Sequence, residues 1–574
     1  MIHLHDNSLA LEIIHAPANT IPEYAAAKNR AWAAASDLRG LDQVLHGGFL
    51  YHAQRAPEAL ALTVGDQAWT YAKLADTARR WAMALLRHLP RPPQRVGVFA
   101  YRSTVSYAGV LASLFAGAAF VPLNRHFPIE RTCAMIDQAD LDALIIDPGS
   151  LAQFRQLAGQ LQRVPPCILI PENDAADLQM DDPFIADRTY LRQCDPLERL
   201  PARSASEHAY LLFTSGSTGR PKGVPISHAN VLSFIKTNQQ RYRITPDDRL
   251  TQTFDQTFDL SVFDLFMAWN HGATVCSMPA IQLLAPFRFL RDHGITVWFS
   301  VPSVAALLRK QGLLTPGSLP RLRLSLFCGE ALPRSTAEAW QAAAPHSVID
   351  NLYGPTELTI ACAVYRWDPN SSANQCVNET VPIGRLYPGL KQLIVNDQFE
   401  PVRFGEEGEL CVAGPQTFEG YWRDEAQTLQ RCFTLHEAGG RDLTYYRTGD
   451  RVRQLPDGNL VYLGRMDQQI KVQGYRIELG EIEGALSRLP GVVAAAAVGW
   501  PRDHGSPTAI TAFVVGRDVD PTALLGGLKA WLPAYMLPKQ LYVLDAMPLN
   551  ANGKIDRTEL VRRLAADEIP QRPQ

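Results

Sequence analysis

Residues 210–225 read YLLFTSGSTGRPKGVP, and no stretch of the chain has more legible chemistry. The apolar run Tyr210, Leu211, Leu212 and Phe213 predicts a buried parallel strand. It breaks into small hydroxyl residues and glycines. Gly216 and Gly219 let the backbone approach a ligand closely, and the amides and hydroxyls of Thr214, Ser215, Ser217 and Thr218 can donate to phosphate oxygens. Arg220 and Lys222 add positive charge where a polyphosphate would lie. The Walker pattern requires Gly-Lys-Ser/Thr, whereas here Pro221 precedes Lys222 and Gly223 follows it. The bland alternative is a polar connection between a strand and a helix.

The ten residues from Thr214 to Gly223 closely resemble the phosphate loop of the ATP-dependent adenylate-forming (AMP-binding) enzymes. These include acyl-CoA synthetases, luciferases and the adenylation domains of nonribosomal peptide synthesis. Further matches run from about Trp69 to Arg557. Activating a carboxylate with ATP requires a held triphosphate, neutralised charge at the α-phosphorus and an acid placed in line. The resemblance assigns these tasks to several stations. In NLYGPTE (351–357), Tyr353 stacks on adenine, Asn351 hydrogen-bonds its edge, Thr356 approaches the α-phosphate and Glu357 holds Mg²⁺. In YRTGD (446–450), Asp450 accepts the ribose hydroxyls, and Arg465 is similar to a family arginine that contacts the nucleotide sugar or phosphate. Lys554, in PLNANGKIDR, matches the catalytic lysine carried in by a mobile small domain, a compact charge on a long stem. Asp467 matches the hinge. Two arrangements are implied: one inserts Lys554 for adenylation, the other presents Lys471 and Gly474 for thioester formation. As plain structure, Gly354-Pro355 is a turn, Glu357 a helix-start acid, Asp450 a turn residue and Lys554 a hairpin charge.

The choice of acid turns on Phe258-Asp259-Leu260-Ser261. In amino-acid-activating relatives the aspartate of this motif pairs with the substrate α-ammonium, whereas acyl-CoA synthetases need no such group. The competing reading of Asp259 is a helix-start acid acting on the helix dipole. Asp264 stands where the family more often has Glu and is assigned no part. By the same resemblance the pocket also comprises Leu260, Phe263, Phe299, Leu326, Cys328, Gly329, Leu352, Ile360 and Ala361. None of these offers a second charge, so a charged side chain would be buried unpaired. The volume taken by phenylalanines and leucines points to a small neutral amino acid, alanine ahead of valine, serine or glycine. Cys328 reads as wall rather than nucleophile, since no histidine accompanies it locally.

These stations need a large scaffold. A chain of 574 residues exceeds one core. Its net charge of −3 makes no general case for nucleic acid or an anionic membrane. Nine scattered cysteines without a CxxC pair read as reduced thiols rather than a disulfide or zinc framework. No signal peptide is read at the N-terminus, and a cytoplasmic location is expected. The uncharged run from Thr104 to Asn124 divides into a buried helix and a short strand, AAFVPL, rather than a membrane span. Apolar strands alternating with helical stretches (95–100, 143–147, 167–170, 209–213, 273–278, 297–301 and 324–328) predict an α/β domain with parallel sheets. From Val381 the texture turns β-rich. Beyond GRMDQQ (464–469) a smaller α+β pattern follows. The expected domains are an N-terminal extension (1–40, with a helix over Glu23 to Ser36), a large adenylation domain (41–466), a small mobile domain (467–565) and a tail (566–574).

The expected function is ATP-dependent formation of an aminoacyl-adenylate and pyrophosphate, then transfer to the phosphopantetheine thiol of a separate carrier protein. Coenzyme A is the second acceptor considered, and ATP and Mg²⁺ are the cofactors. An acyl- or aryl-CoA ligase and a catalytically inactive nucleotide-binding relative stay open.

Overall fold

The computed structural model describes residues 41–178, 180, 183–216, 220–436, 442–503, 506–550 and 554–569. The predicted helix over 23–36 lies outside these residues. Two large sheets form the body. The seven-stranded sheet runs, in spatial order, Phe184–Asp187, Cys167–Ile170, Ala143–Ile146, Arg95–Phe99, Ala119–Leu123, β1 (His208–Thr214) and β2 (Lys222–Ser227). Every pair is parallel except the β1–β2 hairpin. The second sheet has nine strands, and its parallel centre includes β3 (Val297–Ser300), β4 (Leu324–Phe327) and β5 (Val348–Tyr353).

The near-continuous apolar runs of these strands follow from burial on both faces. Helix Thr104–Phe115 shows the same logic. All twelve of its residues are buried, and a Ser103–Ser106 capping box closes its N-terminus. The expected helix and strand within the uncharged run are both found, and no described helix is long and apolar enough to cross a membrane. The strands Leu60–Val64 and Gln67–Thr70 were not expected. They form the edge of the nine-stranded sheet, and the Thr70 side chain caps the following helix by accepting from the Lys73 amide.

A five-stranded antiparallel sheet built around β6 (Asp442–Gln454) forms the β-rich part. The small C-terminal domain begins with the hairpin β7 (Gln469–Val472) and β8 (Tyr475–Glu478), which runs directly into helix α2 (Leu479–Leu486). A three-stranded sheet of Val492–Gly499, Ile510–Gly516 and Gln540–Val543 completes it. The molecule is thus an α/β large domain carrying parallel sheets, with a smaller α+β domain packed on it.

Candidate active site

The carboxyl ends of parallel strands from both large sheets open toward one region, the usual ligand position in such sheets. Over it the small domain lays its β7–β8 hairpin. A cleft of about 1250 Å³ runs between the two domains, lined by Phe258, Leu260 and Val301 on one side and Lys471, Gly474 and Tyr475 on the other.

The phosphate loop joins two antiparallel strands instead of leading into a helix, so its positive field comes from loop amides and from Lys222 rather than a helix terminus. Thr214 ends β1 and faces Lys222 at the start of β2. A Cβ on Gly216 would lie 2.1 Å from the Arg220 carbonyl oxygen, so only glycine closes this turn as built. The Thr214 hydroxyl is buried and has no partner among the described residues, and Arg220 is exposed. Ser217, Thr218 and Gly219 lie outside the described residues.

Lys222 is 7% exposed, and its ammonium sits 3.6 Å from Glu357 Oε1. Burial, reinforced by the nearby Arg476 guanidinium, pushes its pKa down to about 8. Glu357 is fully buried. Burial opposes its ionisation, but Arg476, which donates to Oε2 at 2.8 Å, and Lys222 outweigh that and hold it well below the carboxylate range. The Tyr421 hydroxyl donates to its other oxygen at 2.7 Å. Glu357 stands as a single carboxylate: among the described residues no group of three or more His, Cys, Asp or Glu converges as a metal cage. A lone carboxylate suits a magnesium ion held mostly by phosphate oxygens and water, once Arg476 has moved aside.

The expected nucleotide residues lie at the end of β5 and along β6. Asn351 donates through Nδ2 to the Pro382 carbonyl at 2.9 Å, while its buried Oδ1 has no partner among the described residues. That orphaned acceptor fits an amino donor such as the edge of adenine. Tyr353 is buried, and its hydroxyl donates to Asp450 Oδ2 at 2.5 Å. Asp450 Oδ1 accepts from Arg465 at 2.9 Å. The same Arg465 Nη1 also donates to the Thr448 carbonyl, while its Nε and Nη2 donate to Asp467 and Gln469. In this arrangement its donors are all engaged within the protein. Asp467 is clamped from a second side by Arg431 at 3.0 Å, and these arginines overcome burial to bring its pKa down to about 2.

Asp259 lies just ahead of helix α1 (Leu260–Trp269), but its side chain does not cap that helix. Its Oδ2 accepts from the Ile360 amide at 3.1 Å, and the Thr356 hydroxyl also supports its charged form. Burial nevertheless raises its pKa to about 6. Asp259 is thus the N-cap residue of α1 without a side-chain cap bond, and its carboxylate stands against Thr356 and Ile360. Around it, Leu260, Phe263, Phe299, Leu326, Cys328, Leu352, Ile360 and Ala361 are all buried. Phe263 meets Phe299 edge-on, ring centres 4.8 Å apart. Gly329 adopts a φ of +95°, a conformation that favours glycine. Burial lifts the Cys328 thiol to about 12, so it is inert wall.

The structure does not bring Lys554 into this assembly. Lys554 is exposed in a turn, its amide bonded to Asn550 Oδ1 at 3.1 Å. Lys471 instead stands 5.7 Å from the Tyr353 ring centre, and the Gly474 amide donates to Glu330 at 2.8 Å. In this arrangement the face carrying Lys471 and Gly474, rather than Lys554, lies against the large domain.

Several site residues escaped the sequence reading. Arg476 sits two residues beyond Gly474, but only folding brings it to Glu357. Gln416 secures the turn that serves Asp259. Thr359 and Ile360 both have positive φ, a strained conformation for non-glycine residues. Gln416 Nε2 donates to the Ala361 carbonyl at 2.8 Å, and its backbone oxygen accepts from the Thr359 hydroxyl at 2.6 Å. A lone glutamine in GPQTFEGYW carries no local signal of that role.

Residues 49–422 match the family described as AMP-binding enzyme, and residues 481–554 match its C-terminal domain. The chain is 34% identical to an L-proline–[L-prolyl-carrier protein] ligase of Pseudomonas fluorescens, over 91% of this chain and 99% of that one. It is 35% identical to a probable non-canonical nonribosomal peptide synthetase, CymA, of Salinispora arenicola, over 88% of this chain but only 6% of that protein. Against other large synthetases it spans 6% to 46% of their length. The crystal structure of the Vibrio cholerae adenylation domain AlmE, in complex with glycyl-adenosine-5'-phosphate, superposes with a TM-score of 0.80 at 31% identity. That match covers 91% of this chain and 98% of that one.

Proposed function

The chain belongs to the AMP-binding enzyme family, and from that premise we propose that it activates an amino acid with ATP and passes it to the thiol of a separate carrier protein. The observation that carries the amino-acid reading is Asp259. A carboxylate buried beside the adenylation segment, supported by the Ile360 amide, the Thr356 hydroxyl and its own amide rather than by a cation, has room for a substrate α-ammonium as its ionic partner. The likeness to a prolyl-carrier protein ligase supports the same acceptor chemistry. The side chain is small and neutral, alanine first, because the surrounding wall offers aliphatic and aromatic surface and no second charge.

In the reaction, the substrate carboxylate attacks the α-phosphorus of ATP and pyrophosphate leaves. Lys222 and the loop at Thr214–Gly216 hold the phosphates, the Asn351 acceptor reads adenine, and Tyr353 and Asp450 bound the nucleoside. Glu357 would hold Mg²⁺, which supplies neutralisation of phosphate charge. Lys554 enters by rotation about Asp467 to steady the carboxylate. The docked arrangement, with Lys471 and Gly474 at the site, serves the second step. There the carrier thiol attacks the acyl carbon and AMP leaves. The domain boundaries proposed are 41–466 and 467–565.

A pyrophosphate-exchange screen over the common amino acids in both enantiomers, with fatty and aryl acids as controls, tests the assignment. Exchange with small neutral amino acids is expected. Exchange with fatty or aryl acids alone would assign an acid–CoA ligase, and none with any acid would leave a nucleotide-binding relative.

A further inference from the structure

Between β5 and the strand Ala363–Arg366 that pairs with it antiparallel, the chain turns back within nine residues. This connection carries both the YGPTE station and the pocket residues Ile360 and Ala361. Its last bend is strained. The Ala361 amide donates to the Thr359 carbonyl at 2.8 Å, and Ile360 between them has a φ of +70°. A hydrogen bond from residue i+2 back to residue i around a positive φ is the rare, strained form of the γ-turn. Thr359, at φ +59°, lies in the left-handed region too. Both residues are β-branched, the kind of side chain least at ease there. A Cβ on Gly354 would lie 2.5 Å from the Ala361 Cα, so the bend is also pressed against the backbone of the YGPTE station.

Gln416 closes this bend from a different part of the chain. Its Nε2 faces three carbonyls, those of Leu358 at 3.2 Å, Thr359 at 3.4 Å and Ala361 at 2.8 Å. Its own carbonyl accepts from the Thr359 hydroxyl at 2.6 Å. Gln416 is buried and is held from both sides in turn. Asn230 Nδ2 donates to the Pro415 carbonyl at 2.8 Å and to the Thr417 carbonyl at 3.1 Å. A backbone held off its preferred conformation persists only where its surroundings over-determine it, and such strain gathers at functional sites. Here the bend aims the Ile360 amide at Asp259 Oδ2, 3.1 Å away.

We propose that Gln416 is a positioning residue for amine recognition: it holds the Thr359–Ala361 bend, and the bend fixes the Asp259 carboxylate where the substrate α-ammonium binds. Without the clamp the bend relaxes toward negative φ. The Ile360 amide then swings off the carboxylate and the Ile360 side chain moves with it. The pocket loses affinity for the amino acid, while the nucleotide residues on β5 and β6 keep theirs. This rests on the amino-acid reading of Asp259 and deepens it by naming a residue outside the pocket on which that recognition depends.

The test compares the full chain with Gln416→Met, a side chain of similar length that cannot donate. Hydrogen–deuterium exchange of the peptide spanning 354–362 is expected to quicken by at least about tenfold. In pyrophosphate exchange the KM for the amino acid is expected to rise at least about tenfold, with the KM for ATP within about twofold of wild type. A merely structural glutamine would raise both KM values together or neither. In an Ile360→Gly background, where glycine takes the bend without strain, the loss on removing Gln416 should shrink to about twofold. An equal loss in both backgrounds would overturn the proposal, as would unchanged deuterium exchange at 354–362 or an unchanged amino-acid KM. If Gln416→Met fails to fold, Thr359→Val, which removes only the hydroxyl bond to the Gln416 carbonyl, decides by the same two readings. Wild type that exchanges pyrophosphate only with acids lacking an amine would remove the reading of Asp259, whereas deuterium exchange at 354–362 would still report on the clamp.

Discussion

At the residue scale the decisive group is Asp259. Its pKa of about 6 lies above the usual aspartate value because burial outweighs the support of the Ile360 amide and the Thr356 hydroxyl. It must be ionised to pair with an α-ammonium. Amino-acid kcat/KM is therefore expected to fall about tenfold per pH unit below about 6, mainly through KM, as measured by pyrophosphate exchange. A flat profile down to pH 5 would contradict the pairing. The same shift has a stability sign. The folded state holds this proton more tightly than the unfolded state, so stability is lost as pH rises from about 4 to about 6. Asp259→Asn should thus raise the melting temperature at pH 7, by up to about 3 kcal/mol of stability, while abolishing exchange. Unchanged or lower stability would mean that the two donors matter more than burial does.

At the scale of elements, the β1–β2 hairpin and the β7–β8 hairpin each depend on a glycine for reasons of contact. In Gly216→Ala the new Cβ must displace the Arg220 carbonyl. The loop then shifts, and the KM for ATP should rise at least about tenfold with little change in melting temperature. In Gly474→Ala the Cβ would lie 2.3 Å from Val301 Cγ1, at a φ of +82°. That blocks docking of β7–β8 on the large domain but not the opposite face of the small domain. Transfer from preformed adenylate to the carrier should fall at least about tenfold, while pyrophosphate exchange persists. Equal losses in both half-reactions would show that the hairpin serves the first step as well. The fold around these hairpins was largely readable. Strands such as Cys167–Ile170 and Leu324–Phe327 are continuous apolar runs because they are buried on both faces. The strands Leu60–Val64 and Gln67–Thr70 were missed: the first is only five residues long, and exposed Gln67 and Ala68 dilute the pattern of the second, which forms the edge.

At the scale of the whole molecule, the two domains make two sites from one set of large-domain residues. Lys554 is exposed here, whereas Lys471 approaches Tyr353. Lys554→Ala is accordingly expected to slow adenylate formation by about 10²–10³ and to spare transfer from preformed adenylate. Stopped-flow measurement of each half-reaction separately checks this, and a comparable loss in transfer would count against a lysine that works in one arrangement only. Arg465 and Arg431 clamp Asp467, and rotation of the small domain about that residue, as proposed, requires the clamp to loosen.

Local sequence by itself determined the phosphate loop, the YGPTE and YRTGD stations and the alternation of strands and helices. Each depends on residue type and spacing within about a dozen neighbours. Tertiary structure alone decided that Arg476 meets Glu357, that Gln416 secures the turn at Thr359–Ala361, and that Arg131 pairs with Glu481. These contacts join residues 55 to 350 positions apart. Electrostatic pairing at such separations leaves no periodic trace in the chain, so only the assembled fold reveals which charges meet.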